Sequence, residues 1–246
     1  MKRYELASRI IVALDVKTKA EALALVSELS EAVIFKVGLE LFTSEGPELI
    51  KDLQKLDKKV FLDLKLHDIP NTVAEAVRAG VRHRVSLMTI HASGGADMMA
   101  AAVAAAAEES EKRSIPRPLL LGVTVLTSLK DAQLTQVGMS TPTESQVLRL
   151  AWLAAGAGMD GVVSSPQEIE LLRKEIGRSF LIVTPGIRPA WASADDQKRI
   201  LTPGQAFQKG ADYLVIGRPI TKAASPAEAF VRIIEELGYA PGPPTD

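Results

Sequence analysis

Eight short apolar runs recur along this 246-residue chain, each followed by a stretch with helix signals, and that alternation limits the fold more than any other feature. The runs are Ile10–Asp15, Val33–Gly38, Phe61–Leu66, Ser86–Ala92, Leu119–Leu126, Gly161–Ser165, Phe180–Gly186 and Tyr213–Gly217. Between them the chain carries helix start and stop marks. Thr18 and Glu21 stand at capping-box spacing for a helix through Leu29, and Thr72 and Glu75 do so for one through His83. Pro47–Leu56, Ala96–Glu111 and Thr143–Ala155 read as helices, the second rich in alanine. Ser165-Pro166, Thr202-Pro203 and Ser225-Pro226 each open a helix, and Gly177 and Gly210 end the first two of these. Strands joined by helical crossovers must pair in parallel. A doubly wound open sheet shows the same alternation, but eight units in this length favour closure into a (β/α)8 barrel, which runs to about 250 residues. No linker interrupts the series, so residues 1–238 read as one barrel domain. The remainder, Tyr239–Asp246, has the composition of a disordered tail.

Composition narrows the function classes. A net charge of −1 supplies no basic field, which argues against nucleic acid and anionic membrane as partners. With no cysteine there is no disulfide, thiolate metal site or cysteine nucleophile, and a reducing, cytoplasmic location fits. The longest apolar run, Met98–Ala107, is half a membrane span, and the first residues lack the apolar segment of a signal peptide.

In a (β/α)8 barrel the active site lies where the strands end, so polar residues at those ends are the ones to collect. They are Asp15, Lys36, Asp63, Lys65, His91, Thr127, Arg188, Gly217 and Arg218, with Asp68 just past the third strand. Side chains alternate along a strand, so Asp63 and Lys65 share one face while Leu62, Leu64 and Leu66 take the other. Inward charges cost free energy unless they pair or do chemistry. Asp15 alone reads equally as a helix cap, and His91 as a hydrogen-bonded structural histidine. The three histidines, His67, His83 and His91, have no metal-site spacing. At the eighth strand, Gly217 permits close backbone approach, Arg218 is a fixed cation, and Pro219 suits the first position of a short helix, which together read as a phosphate site. The polar stretch between Gly186 and Pro203 reads as a lid, from which Arg188 and Gln197 add grip on an anion.

These pieces resemble the orotidine 5′-monophosphate decarboxylase family in its bacterial form. The resemblance rests on Ala13–Asp15, Lys36–Gly38, FxDLKxHDIPNT over Phe61–Thr72, HASGG from His91, Val123–Ser128, Asp160–Ser165, Thr184–Pro189, Asp196–Ile200 and Asp212–Thr221, in order from the first strand to the eighth. Relatives often carry a glycine before the fourth strand, where this chain has Arg82–Ser86, a departure that touches no site residue. The resemblance implies that Lys65 protonates C6 of the pyrimidine as carbon dioxide leaves, flanked by Asp63 and Asp68, with Lys36 completing an alternating charge array. It implies that Asp15 and Lys36 contact the ribose, Thr127 the base, and Arg188, Gln197, Gly217 and Arg218 the 5′-phosphate. It further implies a homodimer in which Asp68, Ile69 and Thr72 reach the partner's site, and it implies no metal or organic cofactor. Two rival readings are a Mg²⁺-dependent sugar-phosphate lyase of the same suprafamily and a non-catalytic nucleotide-phosphate sensor. The HDIPNT continuation and the DQKRI loop weigh against the first, and the complete charge set against the second.

Overall fold

In the computed structural model, which describes residues 2–129, 131–139, 142–192 and 201–238, the eight strands close into a parallel barrel in sequence order. They are β1 (Ile10–Ala13), β2 (Ile34–Gly38), β3 (Lys59–Leu66), β4 (Leu87–His91), β5 (Leu119–Val123), β6 (Gly161–Val163), β7 (Leu181–Thr184) and β8 (Tyr213–Ile216). The (β/α)8 expectation holds. Where the runs outlast the strands at the mouth, as at Leu14–Asp15 after β1 and Thr124–Leu126 after β5, the extra residues belong to the loops there.

Two-residue periodicity sorts the strand side chains into two cores. Ile11, Ala13, Ile34, Phe61, Leu87, Leu121, Val183 and Val215 fill the barrel, while Ile10, Val12, Phe35, Val60, Met88, Ile90 and their equivalents pack outward under the helices. The inner cluster is a plug, not a pore. Two residues beyond Ile34, Phe61 and Leu87, on the same face, come Lys36, Asp63 and Thr89. A charged and polar tier therefore sits directly on an apolar floor.

The opposite end carries two matching ion pairs. Asp160, just before β6, takes Arg117 at 2.7 Å and the Leu120 amide of β5 at 2.7 Å. Asp212, just before β8, pairs with Arg173 and takes the Ile182 amide of β7 at 2.7 Å. Arg173 also donates to the carbonyls of Gly177, Phe180 and Gly210. Each aspartate thus fastens the start of one strand to its neighbour.

The expected helix starts hold at Thr18, Thr202 and Ser225, whose hydroxyls accept the amides of Glu21, Gln205 and Glu228. Ser165 caps a short 3₁₀ turn that runs into the helix Ile169–Ile176. One expectation is corrected. Thr72 and Glu75 form no capping box, because the helix begins two residues earlier, at Pro70, with Ile69 as its extended N-cap. Proline's fixed φ makes Pro70 a ready first position, and it overrides the Thr-x-x-Glu spacing. Arg218, not Pro219, is the first residue of the short helix after β8. Three further helices, Arg3–Ala7, Leu39–Glu45 and Asp131–Gln136, had no signal in the chain. Leu39–Glu45 is the clearest case, since its N-cap is Gly38, which has no side chain to mark a start. Tyr239–Asp246 and Gln197 lie outside the described residues.

Candidate active site

The mouth of the barrel holds a cavity of about 320 Å³. Its apolar floor is Phe61, Val123, Val163 and Val215, and its polar wall brings together Asp15, Lys36, Asp63, Lys65, Thr127, Arg188, Gly217 and Arg218. Eight of the twelve expected site residues therefore meet in one place. Asp68, Ile69 and Thr72 do not. They stand on the outer rim, and Ile69 is 66% exposed.

At the centre is an ordered row of charges. Lys65 Nζ lies 2.9 Å from both oxygens of Asp63. Lys36 Nζ lies 3.6 Å from Asp63 Oδ2 on one side and 3.1 Å from Asp15 Oδ1 on the other. Asp63 is buried, so its charge depends on these ammonium partners and on the hydroxyl of Thr89, which donates to Oδ1 at 2.9 Å. Two glycines make room for the row. A Cβ on Gly38 would come 3.0 Å from Lys36 Nζ, and one on Gly217 would come 3.3 Å from Asp15 Oδ2.

Lys65 reaches this position by a local break in β3. Its φ is +51°, rare for a residue with a side chain, and the β3–β4 register shifts between Leu62 and Leu66. Simple alternation along the strand thus fails at Lys65. Asp63 and Lys65 still meet, but through a bulge.

Arg188 is almost fully buried at the cavity wall, and its amide donates to the Leu201 carbonyl at 3.0 Å across the loop. With Arg218 and Gly217 it lines the same cavity as the two lysines. A second, smaller cavity of about 110 Å³ touches Asp15, Lys36, Asp63 and Lys65 from the far side, beneath Leu39 and Glu40.

Several neighbours escaped the sequence reading. Thr89 is one, although its place two residues past Leu87 marks it as inward-facing. Another is Glu168, buried beside β6, which accepts the Ser164 hydroxyl at 3.1 Å. Burial pushes its carboxyl above the ordinary glutamate value, with the Ser164 and Ser165 hydrogen bonds pulling the other way. His91 lies with its ring centroid 5.5 Å from that of His67. Burial, and then the positive charge of His67 and Lys65, holds His91 below the usual histidine range.

The molecule is a (β/α)8 barrel whose paired acids and ammonium groups line one cavity with two arginines, at the end where such barrels carry their active sites. The chain belongs to the orotidine 5′-phosphate decarboxylase / HUMPS family, whose model matches residues 8–233. Among its relatives, the orotidine 5′-phosphate decarboxylase of Syntrophomonas wolfei is 51% identical over 232 residues, covering 93% of this chain and 97% of the relative. That of Actinobacillus succinogenes is 52% identical, covering 94% and 98%. The crystal structure of orotidine 5′-phosphate decarboxylase from Lactobacillus acidophilus superposes with a TM-score of 0.83 at 38% identity, over 94% of this chain and all of that one.

Proposed function

We propose that this protein decarboxylates orotidine 5′-monophosphate to UMP in pyrimidine biosynthesis, with Lys65 delivering the proton to C6. One observation carries the reading: the Lys65 ammonium, held on Asp63 at 2.9 Å, lines the same cavity as Arg188 and Arg218. Loss of CO2 from C6 leaves an electron pair in the ring plane, where the π system cannot spread it. An ammonium fixed beside that carbon stabilises the pair and costs no reorganisation during the reaction. Opposite charges ~4 Å apart gain roughly 4 kcal/mol at an effective dielectric near 20. Enzymes lower barriers by roughly 8–23 kcal/mol, so this one contact is not enough. The rest is assigned to binding energy at the phosphate, gripped by Arg188, Gln197, Gly217 and Arg218, which holds the base against the charge row. Asp15 and Lys36 contact the ribose, and Thr127 the base. Repulsion between Asp63 and the substrate carboxylate adds to the driving force.

The site is read as shared within a homodimer. Asp68, Ile69 and Thr72 stand on the rim with no role in their own cavity, and the small cavity beneath Leu39 and Glu40 leaves a place beside Lys36 and Lys65 for a partner's acid. Asp68 of a second copy fits that charge need, since it would continue the alternation of acid and ammonium. Among the described residues no helix is long and apolar enough to cross a membrane, and we read a cytoplasmic enzyme.

The test is spectroscopic. Purified protein mixed with orotidine 5′-monophosphate is expected to remove the orotidylate absorbance, and to do so equally in EDTA. Persistence of the absorbance would overturn the assignment, and activity abolished by EDTA would favour the metal-dependent lyase chemistry.

A further inference from the structure

The backbone at Lys65 is in a conformation that side-chain-bearing residues rarely hold, and something must fix it there. A non-glycine residue at φ +51° stores strain and persists only where its surroundings over-determine it. The register shift between Leu62 and Leu66 interrupts the regular strand ladder at that point, where every buried amide still needs an acceptor. Thr89 supplies it. Its hydroxyl oxygen accepts the Lys65 amide at 2.9 Å and donates its own proton to Asp63 Oδ1 at 2.9 Å. The direction is unambiguous, because a hydroxyl has a single proton and an ionised carboxylate only accepts.

Thr89 is only 1% exposed, so no water competes for this oxygen. One buried hydroxyl therefore holds both ends of the pair: the main chain of the lysine and the carboxylate its ammonium rests on. We infer that Thr89 is a positioning residue, which sets where the Lys65 ammonium stands by pinning the β3 bulge and orienting Asp63. This rests on the decarboxylase reading above, but the pin itself is a statement about geometry and has its own readout. Thr89 is not among the residues lining the cavity, so its removal is expected to act on the placement of Lys65 more than on ligand binding.

Three variants separate this role from plain packing. Thr89→Val keeps shape and loses the hydroxyl, Thr89→Ser keeps the hydroxyl and loses the methyl, and Thr89→Cys substitutes a weak hydrogen-bonding group of similar size. Thr89→Val is expected to lower kcat by about 100-fold, the effect of misplacing a reacting group by about 1 Å. KM and UMP affinity should change by less than about threefold. Thr89→Ser should restore kcat to within a few-fold of wild type, with Thr89→Cys between the two, which keeps the ranking testable if the valine variant does not fold. Amide hydrogen exchange gives the independent readout: Lys65 N–H protected in wild type and Thr89→Ser, and exposed in Thr89→Val. Wild-type kcat in Thr89→Val, or equal impairment of the serine and valine variants, overturns the inference. A wild-type protein that does not decarboxylate orotidine 5′-monophosphate, yet shows the expected exchange pattern, overturns the proposed function and leaves the pin intact.

Discussion

The two ends of the barrel use the same ingredients, acids facing bases, to different ends. At the bottom, Asp160 and Asp212 are each saturated by a guanidinium and a neighbouring strand's amide. Arginine suits that task, because its planar fork satisfies several acceptors at once, as Arg173 does with Asp212 and three carbonyls. At the mouth, Asp15 and Asp63 face lysines, which are compact, mobile proton carriers, and the row borders a cavity instead of a strand edge. Bottom pairs fix the register of strands. Mouth pairs line up ammonium groups and carboxylates beside an open cavity. Charge content alone does not separate the two; the choice of base and what the pair faces do.

That contrast can be broken from either end. Lys65→Ala should cut kcat by about 10²–10⁴-fold, the usual worth of a positioned general acid, while leaving the thermal midpoint near wild type. Steady-state kinetics beside a melting curve checks both halves. Arg173→Ala should do the reverse, costing about 2–3 kcal/mol of folding stability in a urea titration, since it leaves a partly buried Asp212 with one donor fewer, and sparing kcat in the protein that remains folded. Arg218→Ala, at the mouth but remote from the reacting carbon, is expected to lower kcat/KM by about 10–100-fold through the loss of a charge-assisted phosphate contact. Adding inorganic phosphite with a substrate truncated at the phosphate should fail to rescue it as well as it does wild type. Thr18→Ala, which removes a helix cap that bonds only the Glu21 amide and belongs to neither ion-pair network, should cost about 1 kcal/mol of stability and leave kinetics near wild type.

His91 gives the weakest and most condition-dependent effect. Its folded-state value lies below the ordinary histidine range, so the unfolded chain takes up the proton first as pH falls. Its contribution to stability is complete above about pH 6.5 and declines as pH drops from there through the folded value. Thermal midpoints of wild type and His91→Gln should therefore diverge most at about pH 7.5 and above, and progressively less as pH falls below about 6.5.

Much of this was legible in the chain because strand parity and helix caps are local signals. The alternation of eight apolar runs gave the closed barrel, and the polar ends of those runs located Lys36, Asp63, Lys65, Arg188 and Arg218 at one mouth. What was not legible arises between strands. Lys65 sits in a bulge, and nothing in FLDLKL indicates a positive φ at lysine, since the break depends on the Thr89 hydroxyl from β4. Thr89 itself was missed because a lone threonine in an apolar strand reads as ordinary β-propensity. The helix start at Pro70 shows one local signal beating another: the fixed φ of proline won over Thr-x-x-Glu. Glu168 was invisible as a buried acid because its burial comes from tertiary packing, which a glutamate at a helix start does not announce.

The claim on which the rest depends is that the Lys65 amine delivers the proton to C6, and a crystal structure with UMP bound measures it most directly. The account predicts Lys65 Nζ within about 3–3.5 Å of C6, still in contact with Asp63, with the phosphate between Arg188 and Arg218. An amine turned away from the ring, with C6 facing another donor, would contradict it.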